Sequence, residues 1–280
     1  MLVNLKEMMN KAKKNKYAIP QFNINNLEWT KYILKESEEL KSPVILGVSE
    51  SALKYMGGPN TVVSLIRGLI KDLNISIPVA IHLDHGSSFK ICQEVINAGF
   101  TSVMIDASSY ELEKNIKITK EVVLYAHQFN VTVEGEIGGI GGIEDDASKE
   151  ICYARVNDCI AFVKQTNVDL LAPALGSVHG FYQGEPDINF ERMKKISEKT
   201  NIPLVLHGGT GIPNDDIIKA IKCGTTKINV NTELQFQWAK GVKHYLEIKK
   251  DVYDPRKIIG SGELNLKKVV RDKIILFRNN

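Results

Sequence analysis

Eight short apolar runs, each followed by an amphipathic stretch, repeat along the whole chain, and this alternation narrows the fold more than any other feature. The runs are AIPQFN (18–23), PVILGVS (43–49), PVAIHLD (78–84), SVMID (102–106), VTVEGEIG (131–138), DLLAPALG (169–176), PLVLHG (203–208) and KINV (227–230). Between them lie helix-like segments such as LEWTKYILKESEEL, TVVSLIRGLIKDL, ELEKNIKITKEVVLYAHQF and FERMKKISEKT. Pro43, Pro78 and Pro203 stand at strand starts, where a missing N–H is tolerated. Near-continuous apolar strands separated by helices imply a parallel sheet covered by those helices. Eight such units predict an α/β fold closed into a (β/α)8 barrel, the TIM barrel. An open doubly wound sheet is the structural competitor, weakened by the absence of GxGxxG after the first strand.

A barrel of this kind takes roughly 250 residues, so the 280 present are expected to form a single domain over 1–280. Leu2, Leu5, Met8, Met9 and Ala12 follow helical spacing and predict a short lead-in helix in place of a targeting segment. The segment 139–152, GIGGIEDDASKEIC, reads as a mobile loop because its glycines and acids break both periodicities. A formal net charge of +3, with lysines spread along the chain, argues against a nucleic-acid partner. No run approaches the ~18 apolar residues of a membrane span. Cys92, Cys152, Cys159 and Cys223 have no metal-binding spacing and are expected as reduced thiols of a cytoplasmic protein.

A barrel places its reactive groups at the C-terminal ends of the strands and in the loops beyond them. Those positions carry Asn23, Ser49, Asp84, His85, Asp106, Glu136, His179, His207 and Asn229. Three of the six histidines fall there, whereas His127 and His244 lie in helical segments. Three neutral imidazoles leave coordination positions open, as a catalytic metal site requires; unrelated hydrogen-bonded histidines are the plainer alternative. His82 competes with His85 as the third ligand. In an ideal strand His82 and Asp84 share a face and His85 points away, so His85 needs the strand to end or bulge, and Gly86 makes a turn there feasible. The glycine segments HGGTG (207–211) and LGSVHG (175–180), with KINVNTE (227–233), offer amides at turns and a helix start, and Thr210 and Thr232 add hydroxyls. Such groups bind phosphate, and barrels favour that site after the seventh and eighth strands. Tight turns with no ligand would use the same residues.

HLDHGSS (82–88), SVMIDAS (102–108), GGIEDD (141–146), APALGSVHG (172–180), LHGGTGIP (206–213), KINVNTE (227–233) and YDPRK (253–257) together resemble the class II fructose-bisphosphate aldolases, in their shorter bacterial form. The resemblance runs over essentially the whole chain, in order. It implies a zinc-dependent barrel with the catalytic ion on His85, His179 and His207, a second divalent position at Asp106 and Glu136, and a monovalent cation near the phosphate site. It further implies Asp84 as the acid/base at the C4 hydroxyl and Glu144 as the mobile carboxylate that moves the proton of dihydroxyacetone phosphate. Gly180, Gly208, Gly209, Thr210, Asn229, Val230, Asn231 and Thr232 match the dihydroxyacetone-phosphate pocket, and Ser49 matches the aldehyde half. Arg256 matches the residue for the other phosphate across a subunit interface, in a homodimer or homotetramer. Ile143, Ser109–Tyr110 and the GSG run (260–262) depart from the family pattern.

The implied reaction is reversible cleavage of fructose 1,6-bisphosphate, a step of glycolysis and gluconeogenesis. Tagatose 1,6-bisphosphate, its C4 epimer, is the near alternative. A metal-dependent hydrolase barrel lacks its usual HxH pair on the first strand, since QFNIN contains no histidine. A non-catalytic sugar-phosphate-binding barrel would make Asp84 and Glu144 dispensable.

Overall fold

A computed structural model describes residues 1–278 except 145, 146, 150, 151 and 183, and leaves the side chains of 142–144 and 147–149 undescribed. Its strands are β1 (Ile19–Asn23), β2 (Val44–Ser49), β3 (Val79–Gly86), β4 (Ser102–Ile105), β5 (Thr132–Ile137), β6 (Gly141–Glu144), β7 (Ala147–Lys149), β8 (Leu170–Pro173), β9 (Val178–His179), β10 (Leu204–Leu206) and β11 (Thr225–Val230). Eight of them close a parallel barrel in the order β1-β11-β10-β8-β5-β4-β3-β2. Each corresponds to one of the eight apolar runs, and helices such as Leu27–Glu39, Leu112–Gln128 and Phe190–Thr200 cover the outside. Asparagine and serine side chains start several of these helices: Asn26 accepts from Trp29 N at 2.8 Å and Asn189 from Arg192 N at 2.9 Å.

Alternation along the strands sorts the barrel into two cores. Outward-facing residues such as Phe22, Leu46, Ile81, Val103, Val133, Leu171 and Ile228 pack with the helices in one large cluster. Inward-facing Ile19, Ile45, Ala80, Leu170, Ala172 and Val205 form a separate one with Leu5, Met8, Met9 and Ala12. The lead-in helix, Leu5–Asn15, therefore seals the N-terminal end of the barrel with its apolar stripe. Above that apolar layer the inward positions turn polar. Gln21, His82, Glu134 and Lys227 are all fully buried in the lumen. Asn23, Asp84, Glu136 and Asn229 follow two residues later on the same strands and face the mouth.

The segment 139–152 departs from the loop reading. β6 pairs antiparallel with β7 and parallel with β9, giving a three-stranded sheet over the barrel mouth. Backbone bonds between Gly139 and Cys152 close its base. Short glycine-containing strands carry little alternation, and one of the two partners of β6, β9, pairs Val178 with Gly141 from a distant part of the chain, so local pattern did not reveal the sheet. His179 consequently sits on β9 of this small sheet and not on the sixth barrel strand itself.

β3 contains the feature that shapes the site. Its pairing with β4 advances from Leu83↔Val103 to Gly86↔Ile105, so three steps on one strand oppose two on the other. His85 takes up the extra residue in the left-handed region, at φ 51°. Gly86 makes this packing feasible, because a Cβ there would meet the Leu83 side chain and Met104 O at 2.7 Å each. Gly86→Ala is expected to destabilise the fold by about 1–3 kcal/mol through overpacking, read as a lower denaturant midpoint with unchanged slope. An unaltered midpoint would show that the bulge is not tightly held.

Candidate active site

Bulging at His85 lets consecutive residues serve one site. Asp84 stays on the lumen face while His85 swings toward β10 and β9. His85, His179 and His207 converge, with one ring nitrogen of each within 4.8 Å of the others. Their ring centroids lie 4.7 to 5.7 Å apart. The close approach of β9 to the turn after β10 depends on Gly208, whose φ is +65° and whose Cβ would fall 2.1 Å from Val178 O. His82 does not join the cluster. It lies below, fully buried, with Nδ1 2.8 Å from Ser102 Oγ and Nε2 3.6 Å from Glu134 Oε2.

Hydrogen-bond partners indicate which nitrogens face inward with lone pairs. Asp106 Oδ2 lies 3.1 Å from His85 Nδ1, and Glu134 Oε1 lies 2.9 Å from His207 Nε2. Carboxylates only accept, so each holds the hydrogen on its side of the ring. His85 Nε2 and His207 Nδ1 then face one another at 2.9 Å as two lone pairs. A shared cation would stabilise that arrangement, and three imidazoles, two of them with carboxylates behind them, suit a divalent transition ion. The donor set fits a metal. Asp106 and Glu136 form a second group with His85, also within 4.8 Å, and Glu136 Oε2 is 4.0 Å from His85 Nδ1.

Asp84 lies beside this cluster and is 1% exposed. Asn23 Nδ2 donates to its Oδ2 at 2.8 Å and Asn229 Nδ2 to its Oδ1 at 3.2 Å. Burial works against its ionisation, but His85 and His207 when protonated, with Lys227, outweigh that and hold the carboxyl well below the usual range. Glu134 behaves alike: burial raises it, and Lys227 and His207 bring it far down. Burial also lowers His207 and pushes His82 down to about 3.

Such convergence of imidazoles and a buried carboxylate at a barrel mouth is the geometry of a metal-assisted lyase or hydrolase, and comparison with known proteins decides between them. The family described as fructose-bisphosphate aldolase class-II matches residues 3–280. The chain belongs to the class-II fructose-bisphosphate aldolase family. As an aldolase it is a carbon–carbon lyase. The fructose-bisphosphate aldolase of Geobacillus stearothermophilus is 58% identical over 274 residues, covering 98% of this chain and 96% of that relative. The one from Staphylococcus aureus strain Mu50 is 57% identical with the same coverage. The crystal structure of the YdjI aldolase from Escherichia coli K12 matches with a TM-score of 0.86 at 31% identity, over 99% of this chain and 97% of its own.

In this aldolase the remaining singled-out residues divide by position. Ser49 and Asn231 line a cavity of about 430 Å³ with Asn26, Trp29, Trp238 and Asn23, the residue that donates to Asp84. Ser49 also caps the helix Glu50–Tyr55 by accepting from Ala52 N at 3.3 Å. Thr210 Oγ1 accepts from Glu233 N at 3.2 Å, and Gly209 N is committed to Asn229 O at 3.0 Å. Among the phosphate residues the sequence suggested, Gly209 thus also ties the turn to β11, and Thr210 ties it to the start of the helix Thr232–Ile248. Val230 is fully buried on the outer face, and Gly180 turns at φ +88° after His179. Arg256 is turned away: its side chain is 89% exposed, paired with Asp254 at 2.9 Å, and lines a separate cavity with Lys249 and Tyr253. The side chains of Glu144 and Ile143 lie outside the described residues. Among the described residues no helix is long and apolar enough to cross a membrane.

Sequence reasoning missed Glu134, Lys227 and Gln21. Its available signal was period two: TVEGEI sets Glu134 on the face of Glu136, and KINV sets Lys227 on the face of Asn229. The ring of His82 is expected to stay neutral in the folded chain at every pH above about 3. Its folded value lies below the unfolded one, so its contribution to stability is full above about pH 6.5 and falls away in acid, where only the unfolded chain takes the proton. Imidazole nitrogen shifts followed by NMR through that range would read this directly; a midpoint near the unperturbed value would contradict it.

Proposed function

We propose that this aldolase reversibly cleaves fructose 1,6-bisphosphate to dihydroxyacetone phosphate and glyceraldehyde 3-phosphate, using His85, His179 and His207 as ligands of one catalytic divalent ion. The observation that carries the reading is the 2.9 Å approach of His85 Nε2 to His207 Nδ1, each ring with a carboxylate at its other nitrogen, beside a doubly hydrogen-bonded Asp84. The bound ion supplies Lewis-acid polarisation of the ketone carbonyl. Zinc suits three imidazoles, and the relatives named fructose-bisphosphate aldolase favour the fructose epimer over tagatose.

Asp84 is the general base in cleavage. It takes the C4 hydroxyl proton, the C4–O bond becomes a carbonyl, the C3–C4 bond breaks, and its electron pair stays with the ketone half. Asn23 and Asn229 keep both Asp84 oxygens as acceptors and fix the direction from which they receive the proton. Glu144 returns a proton to C3 and completes dihydroxyacetone phosphate. The helix start at Thr232, with Gly180, Gly208, Asn231 and the Thr210 hydroxyl, binds the ketone phosphate, and Ser49 faces the aldehyde half. Arg256, exposed in one chain, serves the other phosphate in a neighbouring copy of a homodimer or homotetramer. Asp106 and Glu136 offer a second divalent position. A monovalent cation near the phosphate and cytoplasmic residence belong to the same reading.

Cleavage of fructose and tagatose bisphosphates is to be assayed with and without a chelator. Turnover is expected on the fructose substrate, abolished by chelation and restored by zinc; chelator-insensitive turnover would sink the metal reading. Asp84→Asn is expected to lower kcat about 10²–10⁴-fold, the usual worth of a general base. Near wild-type turnover in that variant would favour a binding-only barrel.

A further inference from the structure

The proposed reaction gives no task to Lys227, although it sits fully buried at the centre of the lumen. Its Nζ lies 2.8 Å from Glu134 Oε2 and donates to Asn229 Oδ1 at 2.9 Å. Each partner passes the constraint on. Glu134 has its second oxygen, Oε1, on His207 Nε2 at 2.9 Å. Asn229, its oxygen occupied, turns Nδ2 to Asp84 Oδ1 at 3.2 Å and to His207 Nδ1 at 3.3 Å. On the far side Gln21 Nε2 donates to Asn23 Oδ1 at 3.2 Å, which sends the Asn23 amide to the other Asp84 oxygen.

A lysine side chain donates and never accepts. Placed at this junction it imposes one direction on the hydrogen bonds that run through Glu134 and Asn229. Glu134 and Asn229 must offer it oxygens, and what they then show to His207 and Asp84 is determined. We propose that Lys227 is a positioning residue that sets the donor–acceptor direction of the bonds through Glu134 and Asn229, so that His207 presents Nδ1 as a lone pair and the Asn229 amide is aimed at Asp84 Oδ1. This inference rests on the metal reading of the three histidines. The competing account is a buried ion pair that merely fills the lumen, which would cost stability when broken and nothing more specific.

A pair of variants separates the two accounts. In Glu134→Gln the amide oxygen is claimed by Lys227, so the amide nitrogen faces His207 Nε2 and drives the ring to the Nδ1–H form, which cannot ligate through Nδ1. Zinc affinity, measured by competition with a chromophoric chelator, is expected to fall about 10–100-fold, the usual effect of losing such a partner. In the double variant Glu134→Gln/Lys227→Met the amide is free to turn its oxygen to His207, and most of the lost affinity is expected to return. A lumen-filling pair would instead lose stability in the single variant and regain it in the double one, with zinc affinity unmoved in both. Affinity unchanged in Glu134→Gln, or no recovery in the double variant, would overturn the proposal.

Should Glu134→Gln fail to fold, the wild-type chain answers the same question. Long-range proton–nitrogen couplings of His207 in metal-free protein are expected to report Nε2–H, and an Nδ1–H ring would overturn the inference. Wild-type protein that binds zinc while Glu134→Gln binds it equally refutes the role of Lys227 alone. Wild-type protein with no zinc site sensitive to His179→Ala refutes the metal reading and this inference together.

Discussion

Closing eight parallel strands into a barrel forces every second strand residue into a lumen that bulk water does not enter, and each polar group placed there has to be satisfied by another. The chain meets this constraint in layers. Ile19, Ile45, Ala80, Leu170 and Val205 fill the lower lumen against the lead-in helix and need no partners. One step higher the fully buried Lys227 and Glu134 pair at 2.8 Å, with Gln21 and His82 beside them. A pair taken so far from water recovers its desolvation better when its remaining hydrogen-bond capacity is used, and here Glu134 Oε1 and a Lys227 hydrogen are used on His207 and Asn229 in the layer above. The reactive groups are thus held from below by bonds whose directions cannot be reversed singly.

Strand alternation alone would have left those groups incomplete. Regular β3 geometry sends Asp84 inward and the next residue outward, which would remove His85 from the histidine cluster. A residue inserted against β4, taken up by His85 at φ 51°, brings both to one site. The small sheet formed by β6, β7 and β9 brings His179 over the mouth from a segment that belongs to no barrel strand. Asp84, His85 and His179 therefore come together through three different devices: a regular strand position, a bulge and an accessory sheet.

Much of this was legible in the amino-acid sequence and some was not, for definable reasons. The barrel strands were readable because both of their faces are covered, so apolar runs bounded by proline and glycine stand out. Strand ends pointed to His85, Asp84, Asp106 and His207 because loops after barrel strands carry chemistry. The choice of His85 over His82 was not available from periodicity, since the register shift depends on β4. Lys227 and Glu134 read as ordinary strand residues, because their meeting requires closure of the barrel between β5 and β11. The strands within 139–152 were hidden by their glycine and acid content and by a partner distant in the chain. Family resemblance supplied the residue roles, among them that of Glu144, which no spacing implies.

The central claim is that three histidines from separate elements hold one divalent ion beside Asp84. Diffraction from crystals of the full chain grown with zinc, recorded on both sides of the zinc absorption edge, tests it most directly. The expected result is an anomalous peak about 2.0–2.1 Å from His85 Nε2, His207 Nδ1 and one nitrogen of His179. No peak among these rings, or one held by other residues while they remain hydrogen-bonded to one another, would contradict the account.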